Sequence, residues 1–540
     1  MRAPYSRTLP DLLCEQAERY PDALAVVAGR EAVTYPELRD AAFRVAAALH
    51  AAGIRKLDRV GMLVNNRIEW IAICIGAAAI GATPVPFSTW SKRRELEYLI
   101  GDSRIRALFA LERLGGQDYA SDIAALVPEA SQHAAGAWRS ARYPALDMIV
   151  LLGEQRMQGA VRYDDFIASH APLASLPAPG DGARPHEVAF VLYTSGSSAE
   201  PKAVPLCHGP TIENGFNIGE RQGLLPGDGV FLTSPLFWSF GSANAMCATL
   251  THGGHLVLQE RFDAAEALDL IERRRCRSIY TLPGITSALV NDASFHPERT
   301  QSLRTGVTIG SPKDISDAAE RLGVREICNI YGQTESYGNC CVTWHHWPLE
   351  RRKQVQGPPL PGVTIRIVDP ATRARMPPGS VGEIEVHGNL TPGYEGASAQ
   401  HNDRTFTADG FFRTGDLGLL TEEGDLQFAA RDNEMIKKGG INIAPAEIEE
   451  VLMQHPAVAR VGVAGAPHPE KGEIVVAFVV PRPGETVTAD ELRRHCREHA
   501  ASYKTPDRIE LCDDLPSTPT GKLMRRELKA NAERVIGAKG

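Results

Sequence analysis

Residues Tyr193 to Val204 read YTSGSSAEPKAV, a run of small and hydroxyl-bearing residues that ends in a Pro-Lys pair. The apolar run from Glu187 to Leu192 (EVAFVL) leads into it and predicts a buried strand. An ordinary turn is one interpretation, because Ser, Gly and Pro are common in turns. The other is a loop whose backbone N–H groups, hydroxyls and lysine hold phosphate. This stretch alone does not separate the two interpretations.

Length and composition limit the classes of protein that the chain can be. A chain of 540 residues is too long for one hydrophobic core, and the length predicts roughly two to four compact units. With 43% hydrophobic and 23% charged residues, it is typical of a soluble globular protein. The net charge is −8 and no run of five basic residues occurs, so we expect neither a nucleic-acid nor a membrane partner. The sequence leaves the oligomeric state open.

Cysteines and the N-terminus indicate the compartment. Ten cysteines are scattered without any C-x-x-C pair, so we expect neither a zinc knuckle nor a disulfide framework, and a reducing cytoplasm fits best. The start, MRAPYSRTLPDLL, lacks the apolar core of a secretory signal. The apolar run Trp70–Phe87 is rich in Ala and Gly and ends in two prolines, which favours a buried helix over a membrane span.

Helical and strand-like patterns alternate through the first half of the chain. Tyr35–Gly53 has apolar residues at helical spacing, and the strand-like RVGMLV follows it. Such alternation predicts an α/β architecture in which helices cover the sheets. From Ala446 onwards, two helical and two strand-like segments predict a smaller α+β unit of about 100 residues.

Three more stretches carry groups suited to chemistry. They are NIYGQTES (Asn329–Ser336), FRTGDLG (Phe412–Gly418) and LPSTPTGKLMRREL (Leu515–Leu528). Each alone has a structural explanation, because glycine turns with Asp or Lys are frequent. In this order, and with VGEIEVHG (Val381–Gly388) and ARDNEMIKKGGINIAPAEIE (Ala430–Glu449), the sequence resembles the ANL superfamily of adenylate-forming enzymes from about Thr34 to Leu528.

The resemblance implies a fold and a reaction. A large N-terminal adenylation domain of several subdomains would span residues 1–431, a hinge would lie at 432–433, and a small mobile α+β domain would span 434–540. A carboxylate would attack the α-phosphate of ATP, giving pyrophosphate and an acyl adenylate. A second nucleophile, often the thiol of coenzyme A, would then displace AMP. Positioned cations and N–H donors should dominate the first step.

The resemblance also assigns residues to ATP and Mg²⁺. The nucleotide-binding residues would be Thr194, Ser195, Gly196, Ser197, Ser198, Lys202, Gly310, Ser311, Pro312, Tyr331 and Asp416. Tyr331 would stack on adenine and Asp416 would accept both ribose hydroxyls. Thr334 would bond the α-phosphate, Glu335 would ligate Mg²⁺, and Arg431 would add a donor to ribose or phosphate.

Lys522 is the remaining catalytic residue that the resemblance implies. It would bind the attacking carboxylate and a phosphate oxygen in the first step only. Rotation at the hinge would then exchange it for the face Lys437–Gly440, which would shape the second half-reaction.

Four positions depart from the family pattern. Ala199 and Ala203 stand where the family has glycine, which would cost about 1 kcal/mol or more if the conformation needs a positive φ. Asn433 stands where Asp or Lys is usual. Trp238 replaces the usual histidine after Pro-Leu-Phe, beside the acid pocket and the route of the pantetheine arm. The indole either packs in an apolar acyl pocket or keeps the thiol out.

We therefore expect a ligase that joins an aromatic or medium-length apolar acid to a thiol, most often that of coenzyme A. The acid pocket would be formed by Phe237, Trp238, Ser239, Tyr337 and Gly338. The alternative is transfer of an activated carboxylate, or of another oxyacid such as nitrite, to an amine nitrogen without coenzyme A. A non-catalytic nucleotide-binding protein is a third interpretation, and the intact Lys522, Glu335 and Asp416 argue against it.

Overall fold

The computed structural model describes residues 2–154, 157–168, 170–177, 182–194, 200–310, 312–431, 436–443, 445–516 and 523–537. Two units follow one another along the chain. The N-terminal unit (residues 2–431) contains three larger sheets and two hairpins, and the C-terminal unit (residues 436–537) contains one sheet. The predicted hinge at 432–433 lies outside the described residues, and the domain boundary stays a prediction.

Within the described ranges the strands are β1 (Leu24–Ala28), β2 (Glu31–Thr34), β3 (Arg59–Leu63), β4 (Thr83–Pro86), β5 (Ala107–Leu111), β6 (Arg113–Leu114), β7 (Gln117–Asp118), β8 (Met148–Leu152), β9 (Val161–Arg162), β10 (Val188–Thr194), β11 (Lys202–Cys207), β12 (Gly229–Leu232), β13 (His255–Leu258), β14 (Ser278–Tyr280), β15 (Thr305–Thr308), β16 (Glu326–Tyr331), β17 (Cys341–Val342), β18 (Thr364–Val368), β19 (Gly382–His387), β20 (Phe412–Leu420), β21 (Leu426–Arg431), β22 (Ile436–Lys438), β23 (Ile441–Ile443), β24 (Val458–His468), β25 (Gly472–Pro481) and β26 (Arg508–Leu511).

The α-helices of the same ranges are α1 (Leu9–Arg19), α2 (Tyr35–Ala51), α3 (Ile68–Ala79), α4 (Arg93–Ser103), α5 (Tyr119–Leu126), α6 (Pro128–Gln132), α7 (Tyr163–Ala168), α8 (His208–Gln222), α9 (Cys247–Thr251), α10 (Ala264–Arg274), α11 (Pro283–Asn291), α12 (Pro312–Ser316), α13 (Leu349–Gln354), α14 (Asn402–Thr405), α15 (Pro445–Met453), α16 (Ala489–His499) and α17 (Arg525–Gly537).

Two sheets of the N-terminal unit are mainly parallel and covered by helices. The larger has the strand order β17-β16-β15-β14-β12-β13-β1-β2, and the other has the order β4-β3-β5-β8-β9. Their central strands are fully buried apolar runs such as ALFAL in β5, as expected for parallel strands covered on both faces. These sheets confirm the predicted α/β class.

Two of the three remaining sheet elements of this unit carry the motif segments, and the third is the short hairpin β6-β7. Strands β10 and β11 form an antiparallel hairpin with Thr194 opposite Lys202, so the hydroxyl-rich stretch connects two strands. Strands β18-β19-β20-β21 form an antiparallel sheet in which Asp416 lies opposite Arg431. The predicted strand before the motif is therefore confirmed as β10.

The C-terminal unit has its own sheet and core. The order is β23-β22-β25-β24, with β26 parallel to β25. Helices α15 and α16 cover one cluster of buried apolar residues that includes Ile448 and Leu492, while α17 covers a second that includes Leu528. The predicted α+β module is confirmed.

Helix α3 accounts for the most apolar stretch of the sequence. Its residues Trp70 to Ala79 are all buried, and a Cβ added at Gly76 would lie 2.5 Å from the carbonyl oxygen of Ala42 in α2. Only glycine permits such a close approach of two helices. In the described part of the chain, no helix combines the length and the hydropathy needed to cross a membrane.

Candidate active site

A cavity of about 430 Å³ lies where both units meet. Eight of the residues predicted from the sequence line it: Thr194, Lys202, Phe237, Trp238, Ser239, Thr334, Glu335 and Gly338. They come from the β10–β11 hairpin, from the segment that follows β12, and from the turn after β16. The structure thus brings together groups that are up to 144 positions apart, the separation of Thr194 and Gly338 (338 − 194).

The turn after β16 presents Glu335 to the cavity. Thr334–Ser336 form a single 3₁₀ turn, and Thr391 fixes it by donating its N–H to the carbonyl oxygen of Glu335 at 2.7 Å. The next two residues have positive φ, 58° at Tyr337 and 91° at Gly338, so the chain reverses directly behind the carboxylate. Tight reversal explains why a glycine follows the motif.

A lysine and a carboxylate face the cavity with a tyrosine between them. The ammonium of Lys202 lies 4.8 Å from the ring centre of Tyr394, and the Tyr394 hydroxyl donates to Glu335 Oε1 at 2.7 Å. Burial lowers the pKa of Lys202, and the charge of Glu335 opposes that shift. Burial also raises the pKa of Tyr394, and Glu335 adds to the rise. The tyrosine is therefore a stable donor that orients the carboxylate.

Two hydroxyls meet on the opposite side of the turn. The Oγ of Ser239 and the Oγ1 of Thr334 are 3.0 Å apart, and either can be the donor. Ser239 directly precedes the π-helical segment Phe240–Met246, and such segments are frequent at functional sites. This contact joins the predicted acid pocket to the predicted phosphate site.

Asp416 is held by the same β16 turn. It is 3% exposed, and its Oδ2 accepts hydrogen bonds from the Tyr331 hydroxyl at 2.9 Å and from Gln333 Nε2 at 2.7 Å. The Tyr331 ring stacks on Phe428, with centroids 5.9 Å apart and an interplanar angle of 29°. The structure therefore fixes the predicted adenine-stacking residue and the predicted ribose acceptor in one network. The side chain of Arg431 lies outside the part of the chain that the structure describes.

Several predicted residues are not on the cavity wall. Tyr331 and Asp416 lie behind Gln333 and Thr414, which do line it. Tyr337 is 1% exposed and its hydroxyl accepts from the N–H of Cys207 at 3.0 Å, because the positive φ turns its ring into the core. This placement differs from the predicted role of Tyr337 in the acid pocket, where only its neighbour Gly338 is on the wall.

The loop that precedes α12 has one position that only glycine fits. Gly310 has a φ of 136°, and a Cβ there would lie 2.6 Å from the carboxylate of Asp314. Pro312 begins α12. The remaining predicted site residues lie outside the described ranges: Ser195, Gly196, Ser197, Ser198, Ser311 and Lys522.

The two alanines of the phosphate-loop motif have different outcomes. Ala203 belongs to β11, is buried and does not have a positive φ, so it carries no strain there. Its N–H donates to Ser398 Oγ at 3.2 Å. Ala199 lies outside the described residues.

An aromatic cluster beside the cavity was not predicted from the sequence. Trp90 makes edge contacts with Trp238 at 4.9 Å, with Phe237 at 5.4 Å and with Tyr503 of the C-terminal unit at 5.3 Å. Trp90 lies in none of the motif stretches, and the sequence alone assigns no role to Tyr503. In the sequence each is an aromatic residue next to charged residues. Trp90 precedes the run SKRRE, and Tyr503 precedes Lys504.

Comparison with known proteins identifies the family. A family model described as AMP-binding enzyme matches residues 13–395, and one described as AMP-binding enzyme C-terminal domain matches residues 447–522. The chain therefore belongs to the AMP-binding enzyme family, the ANL superfamily that the motifs indicated.

Two relatives align along almost the whole chain. YngI of Bacillus subtilis (strain 168) is 32% identical over 97% of this chain and 96% of its own length. The acyl-CoA ligase SID4 of Ajellomyces capsulatus is 30% identical over 99% of this chain and 92% of its own length. Both units of this chain therefore have counterparts in these relatives.

Solved structures share the complete fold. The amide bond synthetase McbA from Marinactinospora thermotolerans is 25% identical and superposes with a TM-score of 0.81, covering 96% of this chain and 99% of McbA. A double mutant of o-succinylbenzoate CoA synthetase (MenE) from Bacillus subtilis, bound with a product analogue, is 26% identical and gives 0.80 over 96% of this chain and 98% of MenE. MenE in complex with AMP gives 0.64 at the same identity and coverage.

Proposed function

We propose that this chain is an ATP- and Mg²⁺-dependent ligase that adenylates an aryl or medium-length apolar carboxylic acid and transfers the acyl group to the thiol of coenzyme A. The observation that carries the proposal is the single cavity in which Lys202, Thr334 and Glu335 face Phe237, Trp238 and Ser239. Groups suited to phosphate and metal thus lie beside groups suited to an apolar acid. Membership in the AMP-binding enzyme family agrees with this division.

The phosphate side of the cavity supports nucleotide binding. Lys202 is a cation whose burial would strengthen its attraction to phosphate oxygens. The Thr334 hydroxyl is a neutral donor beside it. Asp416, whose Oδ2 accepts two hydrogen bonds, would take ribose hydroxyls in place of or beside Tyr331 and Gln333. Together these groups would position the nucleotide for attack at one phosphorus.

Glu335 fits the role of a Mg²⁺ ligand. The described part of the chain contains no cluster of three His, Cys, Asp or Glu residues that could hold a metal, and Mg²⁺ commonly binds through one or two carboxylates together with substrate phosphates. Glu335 is 7% exposed and lines the cavity with one oxygen oriented by Tyr394. The ion would neutralise charge that develops on the phosphate oxygens.

The test of the first step is acid-dependent exchange between ATP and pyrophosphate. A panel that includes benzoate and octanoate, incubated with ATP, Mg²⁺ and labelled pyrophosphate, should give exchange without coenzyme A. Exchange that is absent with every acid of the panel, in the presence of a folded protein, would contradict adenylation of a carboxylic acid.

Transfer to an amine is the second candidate. Trp238 stands where the family usually has histidine, and an indole cannot act as an acid or base. McbA, which is named as an amide bond synthetase, superposes as well as MenE does. An amide, or a diazo product if the activated acid is nitrite, would then form without coenzyme A. A reducing cytoplasm is part of either proposal, because ten scattered cysteines without a C-x-x-C pair do not indicate a disulfide framework.

Replacing Trp238 by histidine separates the two roles of the indole. If Trp238 packs against the acyl group, Trp238→His should raise KM for the apolar acid about 5- to 10-fold through lost aromatic contacts, and KM for coenzyme A should change less than twofold. Trp344→His, at a tryptophan that does not line the cavity, is the matched control. A gain in coenzyme A-dependent turnover would instead mean that the indole blocks the pantetheine arm.

A further inference from the structure

A short segment of the N-terminal unit makes direct contacts with the C-terminal unit beside the cavity. The segment is residues 90–95, WSKRRE, which leads into α4; we call it the seat. The Lys504 ammonium bonds the Glu95 carboxylate, Arg94 pairs with Glu450, and the Trp90 ring packs on Tyr503. One hexapeptide thus provides two ion pairs and an aromatic contact between the units.

The ion pair at Lys504 is buried, unlike most pairs on the surface. Side-chain exposure is 10% for Lys504, 18% for Glu95 and 6% for Glu447, whose Oε2 lies 2.6 Å from the ammonium. Lys504 and Glu447 both belong to the C-terminal unit, so their ion pair lies within that unit. Glu95 of the seat joins the pair from the N-terminal unit. Removing one partner of a buried pair leaves an uncompensated charge, which makes the contact sensitive to substitution.

One oxygen of this group lacks a partner. Glu447 Oε1 is buried and has no hydrogen-bond partner among the described residues. Burial raises the pKa of Glu447, Lys504 opposes the rise, and Glu95 adds to it. Two carboxylates therefore share one ammonium, and it is the bond from Lys504 to Glu95 that joins the C-terminal unit to the seat.

The seat is also part of the cavity wall. Ser91 and Glu95 line the cavity, as do Glu447, Tyr503 and Lys504 from the C-terminal unit. The same Trp90 ring that contacts Tyr503 contacts Phe237 and Trp238 of the acid pocket. A group in the predicted acid pocket would contact Phe237 and Trp238. Both pack on Trp90, which in turn packs on Tyr503 of the C-terminal unit.

The C-terminal unit presents Gly440 and Ile441 to the cavity in this arrangement. Gly440 belongs to the face that the resemblance assigns to the second half-reaction.

We propose that residues 90–95 are the seat that holds the C-terminal unit for transfer of the acyl group, with Lys504 as a positioning residue and Trp90 as its link to the acid pocket. This inference rests on the proposed function. Lys504 is assigned a positioning role because its ammonium is bonded to Glu95 and Glu447.

The test measures the two half-reactions separately in Glu95→Gln and Lys504→Met. Adenylate formation is followed as release of pyrophosphate in a single turnover with benzoate or octanoate, whichever the wild-type protein accepts in the exchange assay. Transfer is followed as formation of the thioester after coenzyme A is added to the preformed enzyme-bound adenylate. We expect transfer to slow about 10- to 100-fold, because small misplacements cost this much, while adenylate formation changes less than threefold.

Two features keep the result interpretable. Glu95→Gln leaves Lys504 with Glu447 and keeps a residue that can cap α4, so it disturbs the fold less than Lys504→Met, and Lys504→Arg should restore part of the transfer rate. Glu97→Gln removes a carboxylate of the same helix that pairs with Arg142 inside the N-terminal unit, and it should leave both steps unchanged.

The outcomes separate the seat from the proposed function. If the wild-type protein shows no acid-dependent exchange, the proposed function fails. If the wild-type protein exchanges and transfers, but Glu95→Gln leaves transfer unchanged or slows both steps equally, the seat is overturned. Equal slowing of transfer by Glu97→Gln would likewise overturn it.

Discussion

Glu335→Gln is expected to slow adenylate formation roughly 100- to 1,000-fold, the usual effect of removing one group that stabilises charge in a transition state. The amide keeps the shape of the side chain and an oxygen that can accept from Tyr394. What it loses is the negative charge that would hold Mg²⁺. Acid-dependent ATP–pyrophosphate exchange measures the effect, and a titration should show that the variant needs more Mg²⁺ for half-maximal exchange.

Two variants control for the position of Glu335. Tyr394→Phe removes only the hydrogen bond to the carboxylate and should cost far less than Glu335→Gln. Glu395→Gln removes a neighbouring carboxylate that pairs with Arg59, and its Mg²⁺ requirement should equal that of the wild-type protein. An unchanged Mg²⁺ requirement in Glu335→Gln would remove Glu335 from the metal site.

Lys522→Ala is expected to reduce acid-dependent exchange about 1,000-fold while transfer from a supplied acyl adenylate to coenzyme A stays within threefold. The magnitude follows from removing a cation at which charge develops. The step specificity follows from the resemblance, in which this lysine acts only in adenylation. Residue 522 lies outside the described ranges, so this prediction rests on the motif and not on contacts.

The control is a second lysine of the C-terminal unit. Lys529 is 54% exposed and pairs with Glu473, and Lys529→Ala should leave both half-reactions unchanged. Equal loss of both half-reactions in Lys522→Ala would contradict the predicted rotation of the C-terminal unit. In that rotation Lys522 acts in adenylation and is then exchanged for the face Lys437–Gly440. Together with Glu95→Gln, this variant should give opposite defects in the two half-reactions.

Local patterns of the sequence predict the elements well. Tyr35–Gly53 is observed as α2, Tyr35–Ala51, because Thr34 and Glu37 form a capping box at its start. The stretch before the motif is observed as β10. In both cases a periodic run of apolar residues with a clear end predicts the element. Such elements are predictable because their formation depends on residues that are close together in the sequence.

The composition of the cavity wall is only partly predictable. Thr334, Glu335 and Lys202 lie in ordered motifs, so the resemblance finds them. Glu95 and Lys504 are 409 residues apart and meet only because the two units are packed together. No local pattern distinguishes either from a solvated charge, so the contacts of the seat are not predictable from the sequence.

Aromatic residues show the same limit. The sequence predicts that Trp238 borders the acid pocket, and in the structure Trp238 lines the cavity and contacts Trp90. The sequence also predicts Tyr337 in that pocket, where the positive φ of its backbone directs the ring into the core instead. Backbone conformation at a single residue decides this difference, and residue type alone does not indicate it.

The most direct test of the central claim is to incubate the protein with ATP, Mg²⁺ and the acid panel, with and without coenzyme A, and to measure AMP together with the acylated product by mass spectrometry. We predict that AMP and an acyl-coenzyme A thioester form in equal amounts, and only when both an acid and coenzyme A are present. AMP release that is indifferent to coenzyme A would contradict transfer to a thiol, with an amide forming once an amine is supplied, or a diazo product once nitrite and an aryl amine are supplied.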